Sequence, residues 1–253
     1  MNKRRFFLFF IIVLSVLITG NIIHAEDLGG LLDMNSQPSV EPVSTSAASV
    51  ATSIVASPEN KTLAPANENE VQKIKFKTAD DKTEALVIKD HSDHETIEVN
   101  IDGQAFIMKA RMNKPGVRKY KELSGTEEKT LIAEVKIKDN GFKLVDENDK
   151  LLWKVKISDE KVKISDNEEN KNPYVLKKSE GKVKVKDKSE KEIARVKFYP
   201  ENGKLKLKDK SGNELYISKD YNKLSGAIGV LAIKEIPAKL RAVIASELVK
   251  QNY

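Results

Sequence analysis

The sequence predicts a mainly β protein: repeated antiparallel hairpins, about 12 to 14 strands in all, closed into a barrel around a central hydrophobic helix. Three observations carry that expectation. Alternating Lys/apolar runs recur along the chain, as in "KVKISDEKVKISD" from Lys154 to Asp166. The runs break at Asp-led polar turns with a nearly constant period. An apolar segment, Leu224 to Ile236, then abandons the alternation for helical spacing.

The chain opens with "MNKRRFFLFFIIVLSVLITGNIIHAED", which has a basic start, an apolar run from Phe6 to Ile18, and Ala25 before an acidic stretch. These are the parts of an export signal. Residues 1–25 are therefore read as a signal peptide cut after Ala25, with an uncleaved anchor through residues 6–23 as the alternative. Either form places the rest of the protein outside the cytoplasm, in a periplasmic or extracellular setting. The chain has no Cys, so it uses neither disulfides nor a lipidated N-terminal Cys.

Residues 26–70 change character. Ser, Thr, Ala, Pro and Asn dominate, and no aromatic residue occurs. A segment of that composition cannot bury enough apolar surface to fold, so it reads as a disordered tether. The folded domain is placed at 71–253.

In that domain the alternating runs break at Asp80, Asp102, Asp146, Asp166, Asp187 and Asp209, in steps of 22, 44, 20, 21 and 22 residues. The midpoint of the long step is Ser124, in the turn "KELSGTEEK". The period is thus about 21 residues, an array of supersecondary units sharing one core. In "GKLKLKDKSGNELYISKD", Leu205 and Leu207 share one face with the returning Leu215 and Ile217, while Lys204, Lys206 and Lys208 occupy the other. Strand side chains alternate in this way, so each unit is a half-buried hairpin. Asp, Asn, Ser and Gly suit the turns because they bond the local backbone or accept positive φ.

From Ala227 to Ile233 no charge appears on any side, the mark of a buried helix. A helix over 224–236 is the expected filling of the barrel. Pro237 fits the first turn of a second helix, 237–250, with Leu240, Val243, Ile244 and Leu248 inward and Lys239, Arg241 and Glu247 outward.

Repeated hairpins of the type "KLVDENDKLLWKVKIS" followed by "SGAIGVLAIKEI" resemble the tubby C-terminal superfamily, with its LURP-one-related and phospholipid-scramblase members. That resemblance implies a roughly 12-stranded barrel around a central helix. It also implies a lipid- or membrane-associated role that is not acid/base catalysis. The missing Cys departs from the scramblases' palmitoylation cluster, and export denies access to the cytoplasmic phosphoinositides of tubby.

Charge and motifs narrow the function. The formal net charge is +6, and setting aside Lys3, Arg4 and Arg5 leaves 41 Lys+Arg against 38 Asp+Glu, a net of +3. Signs are interleaved, unlike the concentrated excess of a nucleic-acid binder. The strand lysines read as a solvated face, with an anionic-ligand patch as the alternative. His91 and His94 in "KDHSDHETI" are read as a polar turn, the alternative being a metal pair with no third His nearby. "DENDK" at Asp146 starts like a calcium loop but puts Lys150 at the fifth ligand position. Trp153 alternates with Leu151 and Val155 and reads as barrel wall. No P-loop, nucleophile elbow or dinucleotide fingerprint occurs. No catalytic, metal or cofactor residue is assigned, and no cofactor is expected. The expectation is an exported, non-catalytic, monomeric envelope module that binds anionic lipid, an envelope polymer or a protein. The alternative is an envelope hydrolase whose site is assembled from sequence-distant residues.

Overall fold

A computed structural model describes residues 73–219 and 221–253. The leader or anchor of residues 1–25 and the tether of 26–70 lie outside the described residues. Fourteen strands follow one another: β1 Lys73–Thr78, β2 Glu84–Asp90, β3 Glu95–Ile101, β4 Gln104–Lys114, β5 Val117–Ser124, β6 Glu127–Lys138 and β7 Gly141–Val145 form one half. The other half is β8 Leu151–Ile157, β9 Lys161–Ser165, β10 Tyr174–Ser179, β11 Lys182–Lys186, β12 Glu192–Tyr199, β13 Lys204–Asp209 and β14 Glu214–Ser218. Each strand pairs antiparallel with its sequence neighbours, and β14 pairs with β1, so the sheet closes into a 14-stranded barrel. Closure removes the unpaired edges on which such Lys/apolar strands could otherwise aggregate.

All the turns that follow odd-numbered strands lie at one end, so the 21-residue repeat is one hairpin with its Asp-led turn always at that end. Three of these turns are built alike. In two of them one carboxylate oxygen accepts two backbone N–H groups: Asp146 from Asn148 and Lys150, Asp187 from Ser189 and Lys191. Asp209 accepts the Asn213 N–H at 2.9 Å and holds its side-chain amide as well. The fourth turn residue has positive φ in every case, Asp149 at 66°, Glu190 at 62° and Gly212 at 94°. The Asp146 carboxylate is thereby committed to its own turn.

Inward positions are apolar, with Phe76, Leu86, Met108, Leu144, Val185 and Leu207 fully buried or nearly so. Outward positions are rich in lysine on β8 to β13 and mixed elsewhere, as on β3, where they are Thr96, Glu98 and Asn100. Strand β14 departs from the sequence expectation. A register shift between Leu207 and Lys208 sets Tyr216 opposite Leu207 and Ser218 opposite Leu205. Ile217 therefore stands opposite Lys206 and Lys77 on the outer face. It is still buried, because lysine stems are aliphatic and cover it.

A ring of 14 strands encloses more space than wall side chains fill. The C-terminal segment fills it, with a 3-10 helix over Ala227–Ala232 and an α-helix, α1, over Ala238–Lys250. The continuous helix expected over 224–236 is thus a short 3-10 piece, and the glycines explain it. In a 3-10 helix residues three apart eclipse, so Gly226 and Gly229 share one side. A Cβ at Gly229 would lie 3.0 Å from Val185 Cγ2 and 3.3 Å from Val196, and one at Gly226 would lie 2.5 Å from the Tyr253 ring. Glycine lets the backbone itself press on the wall at β11 and β12. In the second helix Lys239 is partly exposed as expected, but Arg241 to Leu248 are buried on every side, and Arg241 and Glu247, expected outward, are 2 % and 1 % exposed. The helix leans on the opposite wall, around β3 to β6.

Candidate functional site

Two places concentrate chemistry: a polar seam inside the barrel and a cationic wall outside it. The seam runs along α1. Near the Asp-turn end, Arg241 pairs with Asp102 and donates to the Leu231 carbonyl at 2.9 Å, which ties α1 to the 3-10 piece. Near the other end, Glu247 Oε1 accepts from Tyr120 Oη at 2.6 Å and from Arg118 at 2.8 Å. Lys250 pairs with Glu95. Tyr120 has its hydroxyl pKa pushed well up, first by burial and then by the neighbouring Glu247 charge. Tyr120 and Ser246 are fully buried. With Tyr120, Arg241, Ser246 and Glu247 buried, the seam fixes which face of α1 meets which strand.

Sequence spacing could not reveal this seam. Arg241 lies 139 residues from Asp102, and Glu247 lies 127 from Tyr120. The readable signal was weaker: Arg241 and Glu247 share a helix with uninterrupted apolar neighbours.

The outer wall is asymmetric. Residues 73–150 carry 16 Lys+Arg and 16 Asp+Glu, a net of zero, whereas residues 151–209 carry 17 against 11, a net of +6. Within the six strands β8 to β13 there are 14 cations and two acids, Glu192 and Asp209. The sequence estimate of +3 missed this because it counted the tether. Residues 26–70 hold seven acids and one Lys, so residues 73–253 alone have 40 cations against 31 acids, a net of +9.

Strand register arranges these cations in rows. Lys161 stands opposite Lys177, Lys177 opposite Lys184, Lys184 opposite Arg195, and Arg195 opposite Lys208. A second row joins Lys182, Lys197 and Lys206. Some charge is compensated: Glu192 lies 2.8 Å from Arg195 and 3.7 Å from Lys184, and Glu214 lies 2.8 Å from Lys206 and 3.3 Å from Lys208. Among the described residues Lys161, Lys177, Lys182 and Lys197 make no salt bridge. Across the ring, Glu128 serves Lys109, Arg111 and Lys121, and Glu98 serves Lys89.

At its Lys161 end the first row opens into a basin of about 760 Å³. Lys156, Lys161, Lys163 and Lys178 line it together with the carboxylates Asp139 and Asp159, and Tyr253 of the C-terminal filling borders it. Tyr253 closes the lumen there: its hydroxyl donates to the Leu176 carbonyl at 2.8 Å, and Lys178 sits 4.2 Å over its ring. The basin is open and polar, with four lysines against two carboxylates.

The other sequence candidates lie elsewhere. His91 and His94 stack 4.6 Å apart in the β2–β3 turn, where His94 Nδ1 lies 2.5 Å from Asp93. Trp153 faces inward, 6.2 Å from the Tyr174 ring.

No protein-family profile, curated protein or solved structure matches the chain.

Proposed function

We propose that the protein is a non-catalytic binding module that engages anionic partners through the outer wall of β8 to β13. The observation that carries this reading is the set of like-charged rows. Lysines directly opposite one another on paired strands are destabilising, by roughly 0.2–1 kcal/mol per pair. Acidic compensation, as Glu128 gives Lys109, Arg111 and Lys121, would make a more stable barrel. Like-charged pairs also occur on the other wall, Lys73 with Lys89, Lys109 with Lys121, Arg111 with Lys119 and Lys136 with Lys143, but there every member except Lys73 has an acidic partner. Four lysines of the β9 to β12 rows have none among the described residues, and that lack of compensation points to use. The filled lumen directs that use outward.

The wall also argues against a lipid-embedded barrel, in which apolar residues face out and polar residues in. Here the order is reversed. A setting outside the cytoplasm rests on the leader sequence, and the tubby-like resemblance supports the reading at the level of a barrel around helical filling.

The test is binding of the full chain to anionic ligands, long-chain polyphosphate and vesicles with and without anionic lipid, across a salt series. The readout is the difference between anionic and neutral vesicles, because the apolar leader is common to both. The expected result is binding that needs negative charge and weakens steadily with salt, as counterion release requires. Equal binding to neutral and anionic vesicles, with no polyphosphate binding, would overturn it.

A further inference from the structure

The rows carry more than a charge total. We infer that the partner is a linear polyanion lying across the strands along the row from Lys208 to Lys161, and not a bilayer; this rests on the anion-binding reading above. Neighbouring strands are about 4.8 Å apart, so the five cations of the first row span roughly 19 Å in one line. The second row runs beside it, one side-chain repeat along the strands, or about 6.7 Å away. Charge distributed in lines is complementary to charge carried on a chain.

Compensation falls along the line. Glu192 and Glu214 shade the Lys184, Arg195 and Lys208 portion, whereas among the described residues Lys161 and Lys177 have no acidic partner. The exposed end is the one that opens into the basin, where Lys156 and Lys163 stand opposite each other on β8 and β9. A polyanion laid on the row thus meets its unpaired lysines, Lys177 and Lys161, at the end next to the basin.

Three features select the kind of polyanion. Among the described residues the exposed large hydrophobics are Ile107 and Met112, both on β4. β4 is seven strands from β11 in a ring of 14, on the opposite wall, so the charged face lacks the apolar anchors that seat a protein in the headgroup boundary. All but one of the 14 strand cations are lysine, a point charge, and not arginine, whose planar fork reads a phosphate or carboxylate bidentately. Recognition is therefore by charge density. Finally, Tyr199 is the one aromatic on the outer side of β9 to β13, paired with Lys204 at the edge. Stacking platforms for nucleic-acid bases are missing from the rows.

The experiment compares Lys177→Glu/Lys184→Glu, in the row, with Lys114→Glu/Lys129→Glu, on β4 and β6. Both change net charge equally, and circular dichroism and thermal unfolding confirm that each is folded. Binding of the full chain to labelled long-chain polyphosphate is measured, with triphosphate and anionic vesicles as competitors at matched charge. The expected result is a loss on the order of tenfold or more for the row variant, with a change under about threefold for the control. Long chains should compete far better than triphosphate or vesicles. Equal losses in both variants, or vesicles or triphosphate competing as well as the long chain, would overturn the inference while leaving anion binding intact. Failure of the unmodified protein to bind any of these ligands would overturn the anion-binding reading itself.

Discussion

Glu247 holds the lower half of the plug, because its Oε1 accepts from both Tyr120 and Arg118 while the side chain is 1 % exposed. Replacing it by Ala leaves a largely buried guanidinium without its counter-charge. Breaking one side of a buried pair costs about 3–5 kcal/mol, whereas removing both charges in favour of packed apolar groups is often close to neutral. Urea unfolding should thus show a severe loss for Glu247→Ala and a much smaller one for Arg118→Met/Glu247→Leu. Outer charges behave differently. Lys206 stands on the outer wall, so Lys206→Glu loses the Glu214 contact but gains an attraction to Lys197, and its stability should stay within about 1 kcal/mol of the parent. The pH profile follows from the same chemistry. Lys219 and Lys77 hold the Asp81 carboxyl at about 2, and Asp209 and Glu214 are lowered by Asn213 and Lys206 respectively. Depressed carboxyl pKa values stabilise the fold above the ordinary carboxylate range near 4, and that stabilisation is lost as pH falls toward 2. The melting temperature should be flat from about pH 8 to 5 and drop steeply below about 4. Burial raises the hydroxyl pKa of Tyr120, Tyr221 and Tyr253, so the folded state keeps those protons and loses stability as pH rises beyond about 10. Ultraviolet titration should show these tyrosines ionising only as the protein unfolds.

The hairpin is the element most legible in the sequence, because its determinants are local. Asp146 and Asp187 bind backbone N–H groups two and four residues on, Asp209 binds the one four residues on, and the alternation of Lys and apolar residues sets the face. These three equivalent turns make a sharp comparison: Gly212 occupies the left-handed position at which Glu190 has φ 62°. Glu190→Gly relieves a conformation that costs a non-glycine residue roughly 1 kcal/mol, and should raise stability by up to about that amount. Asp187→Ala should lower it by about 1 kcal/mol through two lost turn bonds. Thermal unfolding distinguishes both from the parent. Where the determinant is not local, the sequence misleads. One bulge in the β13–β14 pairing turned Ile217 outward, since a single-residue slip exchanges the two faces of a strand. The plug was legible as apolar and helical, but its 3-10 form depends on how closely Gly226 and Gly229 approach Tyr253, Val185 and Val196. Gly226→Ala should destabilise by about 1–3 kcal/mol through overpacking against the Tyr253 ring.

At the scale of the molecule, a closed ring with its own C-terminal segment packed inside has a filled lumen, and the proposed recognition falls to its outer wall. The cationic wall was hidden in the sequence for two reasons: acids of residues 26–70 offset it in the total, and its rows exist only once register brings Lys161, Lys177, Lys184, Arg195 and Lys208 side by side. Strand count and hairpin order were legible; charge geometry was not, because it is a property of the pairing. Ile228 and Leu231 lie in the middle of the plug, 0 % and 1 % exposed, and Ile228→Asp or Leu231→Asp buries an unpaired charge. Each should abolish cooperative unfolding and the near-ultraviolet signal of Trp153. The claim on which everything else depends is that the plug is as permanent as the wall. Native-state hydrogen exchange of the α1 amides from Ala242 to Leu248 tests it most directly. If the lumen is closed for the life of the fold, these amides exchange only with global unfolding, at the same free energy as the central β11 and β12 amides. Exchange through a markedly cheaper opening would show that the helix leaves the barrel, and that the lumen, not the outer wall, is where a partner belongs.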